Sequence, residues 1–129
     1  MILKDTEHSL QSGEITDAKA WEILDMLLDC FRKHKITEVT LIFGFDWQVG
    51  DECWADQTVK IDDIHEYIKA QEIKETGYLN YDDVYIKISD TVQVHFCHHS
   101  DMHLEYNEED HPLIKDLRAI FVNKIGLKK

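Results

Sequence analysis

The chain of 129 residues carries 26 Asp and Glu against 14 Lys and Arg, a formal net charge of -12, with 43% hydrophobic residues, five Gly and one Pro. That size and mixture suit one globular domain spanning 1-129 with a core of its own, and they exclude a disordered, fibrous or collagen-like chain. No apolar run approaches the roughly 20 residues that cross a bilayer, and Arg32 and Arg118 alone supply the guanidinium fork that best grips phosphate, so membrane and nucleic acid are set aside as partners.

Cys30, Cys53 and Cys97 are odd in number and widely spaced, without a CxxC pair; that usage points to a reducing compartment rather than a disulfide framework. The opening MILKDTEHSL has no apolar segment after a basic flank, so a cytoplasmic location is expected. A strongly acidic chain favours a basic partner where its charge is focused, and gains only solubility where it is spread.

Ile2-Leu3 suggests a short leading strand. Thr16 then offers a hydroxyl cap to an amphipathic run in which Trp21, Leu24, Leu28 and Phe31 recur at helical spacing, predicting a helix over 17-34. Residues 37-47, TEVTLIFGFDW, are β-branched and aromatic and read as a central strand. A short edge strand is expected near Cys53-Trp54. Asp62 is the expected cap of a second helix running to Lys74, expected to bury Ile64, Tyr67, Ile68 and Ile73.

From Asp83 the apolar period becomes two. Val84, Ile86 and Ile88, then Val92, Val94 and Phe96, then Met102, Leu104 and Tyr106 predict a three-stranded meander with one apolar face. Asp110-His111-Pro112 opens a third helix with Leu113, Leu117, Ile120 and Phe121 as its stripe and Gly126 as its end. The fold class is therefore α+β: a mixed or antiparallel sheet, including this C-terminal meander, with about three helices on its apolar face.

The segment HFCHHSDMH (95-103) holds four histidines, a cysteine and an aspartate. Apolar matching favours loops at Ser89-Thr91 and His99-Asp101, pairing Ile88 with Val92 and Phe96 with Leu104. Cys97 then faces His103, a transverse row reads Tyr85, His95, Glu105, and His98 falls on the apolar side. His95, Cys97, His103 and Glu105 are thus a candidate zinc set, and Cys97 with His103 a candidate nucleophile pair, weighed against an ordinary polar sheet face. His103-Leu104-Glu105 lacks the downstream PCxxC of zinc deaminases, and His65-Glu66 does not extend to HExxH.

A second candidate is electrostatic. Between Asp46 and Asp63 stand Asp46, Asp51, Glu52, Asp56, Asp62 and Asp63 against Lys60 alone, with Trp47 and Trp54 among them. Carboxylates around tryptophans combine an interface anchor with steering of a basic surface. In size, charge and layout the chain resembles small acidic bacterial immunity proteins of toxin-immunity systems. The resemblance implies a non-enzymatic inhibitor, without cofactor, that neutralises a basic partner such as a nuclease toxin. A metal-binding protein or metal-dependent enzyme built on the His/Cys/Glu set, and a generic adaptor domain, are the alternative readings.

Overall fold

A computed structural model describes residues 6-44, 56-75, 77-107 and 112-128. It is an α+β fold: β1 (His8–Gln11), α1 (Asp17–Lys33), β2 (Glu38–Phe43), β3 (Asp56–Lys60), α2 (Ile61–Ile73), β4 (Val84–Ser89), β5 (Val92–Phe96), β6 (Met102–Tyr106) and α3 (Pro112–Ile120), the last continuing into a wider π-type turn, Phe121–Ile125. The strands form one six-stranded sheet in the order β1-β6-β5-β4-β2-β3, antiparallel at every pairing.

Alternation within the strands sorts the sheet into two faces. Val39, Leu41, Val84, Ile86, Val94, Phe96, Met102 and Leu104 join Ile23, Leu24, Leu27 and Phe31 of α1, Ile64 and Ile68 of α2 and Leu113 and Leu117 of α3 in a single core. The helices therefore cover the apolar face. Truncating a side chain such as Leu27, which is fully buried, should cost about 2–5 kcal/mol through lost burial and the cavity left behind. The opposite face is polar along most of its length, yet Ile42 and Gln93 on it are also fully buried.

Local chemistry explains the helix boundaries. Thr16 is extended and its Oγ1 accepts from the Lys19 amide at 3.2 Å, so the hydroxyl cap opens α1 as its sequence predicts. α2 begins one residue before the expected cap: Lys60 occupies that position without a side-chain bond, and the Ile61 amide donates instead to the Thr37 carbonyl at 2.9 Å. Asp62 and Asp63 lie in the first turn, where negative charge suits the helix N-terminus. Gly126 ends the C-terminal helix as expected, at φ 93°, a conformation in which a side chain would be strained.

Two expected hairpin registers are corrected. Among the described residues the first strand is His8–Gln11 and Asp56–Lys60 forms an edge strand, while the Ile2-Leu3 and Cys53-Trp54 strand expectations and the Asp110-His111 helix start lie outside the described residues. The β4–β5 hairpin keeps Val84 opposite Phe96 and Ile86 opposite Val94, but a bulge after Lys87 puts Ser89, not Ile88, opposite Val92. Across the next hairpin Phe96 pairs with Met102 and Val94 with Leu104, two residues from the expected register, so the loop runs from Cys97 to Asp101. The Cys97 amide donates to the Asp101 carbonyl and Ser100 takes a left-handed φ of 62°, which closes the longer loop.

Candidate functional site

The corrected register remakes the histidine-rich face. His95 lies opposite His103, and one transverse row reads Tyr85, His95, His103, Gln11. Glu105 lies opposite Gln93 in the next row and accepts its side-chain amide at 3.2 Å. It is thereby separated from the expected zinc set. The rings of Tyr85 and His95 stack with centroids 3.9 Å apart, and those of His95 and His103 with centroids 5.3 Å apart.

At the end of this row His95, Cys97 and His103 each present a possible ligand atom, all within 4.8 Å of one another. The strand pairing delivers the two histidines, and Cys97, the first residue past β5, keeps the same side by alternation. His98 is not on the apolar side. Its backbone amide and Nδ1 are both 3.0 Å from Asp83 carboxylate oxygens, and about half of the side chain remains exposed.

Two carboxylates flank the trio. Asp83, just before β4, is buried and lies 2.8 Å from His95 Nε2 through Oδ1. Burial pushes its carboxyl up, but the bonds from the His95 ring and from the ring and amide of His98 outweigh this and hold it below the ordinary carboxylate range. Asp101, also buried, uses Oδ2 to accept from Gln11 Nε2 at 2.7 Å and lies 3.3 Å from His103 Nε2. Its Oδ1 is buried with no nitrogen or oxygen partner among the described residues, and the carboxylate accepts a hydrogen bond from the Cys97 side chain. A surface recess of about 340 Å³, lined by Gln11, Gly13, Glu14, His99, Asp101 and Lys128, reaches this carboxylate from outside.

The titration directions follow from the packing. Desolvation lowers His95 below its ordinary value despite the attraction of Asp83, which favours the neutral ring. Burial, with the Asp101 and Asp83 carboxylates adding to it, pushes the Cys97 thiol up to about 11. A thiol held protonated at neutral pH is a poor nucleophile, so the Cys97–His103 pair is not an activated one.

The acidic candidate is placed only in part. Asp46, Trp47, Asp51, Glu52 and Trp54 lie outside the described residues. Asp56 starts the edge strand, and Asp62 and Asp63 project from the first turn of α2 with their neighbours on α1. Arg32 joins the two helices, donating to Asp29 at 2.8 Å and to Asp62 at 3.0 Å, while His65 meets Asp25 at 2.8 Å. The carboxylates stay open to water in these pairs, 78% for Asp29 and 85% for Asp62.

Sequence reasoning missed Asp83, Asp101 and Gln11 as members of the cluster. Asp83 could have been found by extending the Val84–Phe96 pairing one step, which sets it opposite Cys97. Gln11 carries no such signal, because only Leu10 in its strand is apolar. Compared with known protein families, curated proteins and solved structures, the chain matches none of them.

Proposed function

We propose that the chain is a non-enzymatic inhibitor of the immunity-protein kind, acting in the bacterial cytoplasm by binding and covering a basic protein such as a nuclease toxin. The observation that carries this reading is the concentration of exposed carboxylates where α1 and α2 adjoin: Asp25, Asp29, Asp62 and Asp63, with Arg32 already engaged by two of them. The formal charge of -12 adds a long-range field of the same sign. Such a surface speeds encounter with a cationic partner and repels nucleic acid. Asp46, Asp51, Glu52 and Asp56, with Trp47 and Trp54 as anchors, extend the proposed binding set along the chain.

Co-expression with the product of the neighbouring gene tests the proposal. The expected partner is basic, its toxicity is suppressed by this chain, and the complex weakens as salt shortens the screening length from about 10 Å at 0.1 M to about 3 Å at 1 M. Reversing Asp62 and Asp63 together to Lys should lower affinity by about tenfold or more, mostly through slower association. Unchanged affinity in that double variant and in Trp54→Ala would remove this surface from the binding role, and tight binding of nucleic acid would overturn the reading.

A further inference from the structure

Among the described residues, three groups of side chains have the composition of a metal site: His95, Cys97 and His103; Asp83, Cys97 and His98; and Cys30, His34 and Asp116. The third is internally satisfied, since Asp116 already meets His34 at 2.6 Å and Lys33 at 3.2 Å. In the second, Asp83 is saturated by His95 and His98. The first differs from both. Each of its histidines has one ring nitrogen against a carboxylate, His95 on Asp83 and His103 on Asp101. That leaves the other nitrogen of each ring as the possible metal ligand, the arrangement in which an outer carboxylate fixes an imidazole's tautomer and orientation for a metal.

An independent feature points the same way. Asp101 Oδ1 is buried without a nitrogen or oxygen partner among the described residues, although its companion oxygen has two and the Cys97 thiol donates to the carboxylate. A thiol is a weak donor, so this buried acceptor is incompletely satisfied, and natural proteins seldom leave one so without a use for it. The carboxylate touches His103, influences the Cys97 thiol, and borders the recess that opens to solvent. A donor group bound between these residues would satisfy it.

We propose that His95, Cys97 and His103 bind one divalent transition-metal ion of the zinc class, with water as the fourth ligand and Asp101 Oδ1 accepting a hydrogen bond from that water. One thiolate and two neutral imidazoles suit a borderline-soft ion, and three protein ligands with an open position are common where zinc keeps a water. Binding transfers the Cys97 thiol proton to solvent, and the thiolate with the Asp83 and Asp101 carboxylates offsets the ion's charge. Glu105 has no part in this set. The inference goes beyond the inhibitor role and stands or falls separately from it.

The test uses the full chain purified without a metal-affinity tag, stripped with chelator and titrated with Co(II). Saturation at one equivalent is expected, with tetrahedral d–d bands and a thiolate-to-cobalt charge-transfer band, all bleached by Zn(II). Cys97→Ser should abolish the charge-transfer band, and His103→Ala should weaken binding by at least tenfold. Asp101→Asn should keep the band while weakening binding by about tenfold, the scale of an outer-shell loss. His34→Ala and Glu105→Gln should change nothing. Absence of a charge-transfer band in the unaltered chain overturns the proposal outright, and that reading does not depend on any variant folding. Persistence of the band in a folded Cys97→Ser protein, or its loss in His34→Ala, overturns the assignment equally.

Discussion

Asp83 ties three groups together from a single buried position: the His95 ring, the His98 ring and the His98 amide. Replacing it with Ala should destabilise the fold by about 1–3 kcal/mol at neutral pH, the range for stranding buried polar partners. The pH dependence has a definite sign. Because the folded carboxyl is held below its unfolded value, its contribution is complete above the ordinary carboxylate pKa of about 3.9 and disappears as pH falls through the lower folded value. Urea denaturation of Asp83→Ala and the parent chain at a series of pH values should therefore give a stability gap that closes on acidification. A gap independent of pH would mean that packing, not the ionised carboxylate, is what the aspartate contributes.

At the scale of elements, α1 and the β5–β6 hairpin show two kinds of local control. α1 depends on Thr16 to satisfy a free amide, so Thr16→Ala should lower stability by about 1 kcal/mol, with Thr16→Ser close to the parent in chemical denaturation. That cap was legible because the Thr16 hydroxyl and the apolar stripe that follows it agree within one short window. The hairpin register was not. Side chains alternate with period two, so a slip of two residues keeps every apolar residue on its face and leaves hydrophobic matching unchanged. What selects the observed pairing is in the loop: the Cys97–Asp101 backbone bond, the left-handed Ser100 and the bond from Gln11 to Asp101. The face shared by His95, Cys97 and His103 and the Tyr85 partner of His95 were therefore readable, whereas the pairing of β5 with β6 was not. Asp62 illustrates the same limit, since a carboxylate near a helix start looks alike as a cap and as a first-turn residue.

For the whole molecule, the arrangement that matters most is the seam beside β1. Ser12 exchanges bonds with Met102, its amide donating to the carbonyl at 2.9 Å and its Oγ accepting from the Met102 amide at 2.8 Å. On its other side Ser12 bridges to Leu127, and the Lys128 amide donates to the Gln11 carbonyl at 2.9 Å. Ending the chain after Gly126 should then cost about 1–2 kcal/mol for the lost backbone bonding. Hydrogen exchange should quicken first at Ser9 to Gly13. Exchange that quickened only in α3 would show that the seam does not support β1.

The same seam orders events in time. Gln11 waits for strand β6 to receive it at Asp101, and for Lys128 to hold it from behind. During folding the helices and the β4–β5 hairpin can form from nearby residues, but the surroundings of Asp101 stay incomplete until Gln11, β6 and Lys128 have all come together. The cluster thus reports closure of the sheet, and a ligand bound there would discriminate between protein that has closed its sheet and protein that has not.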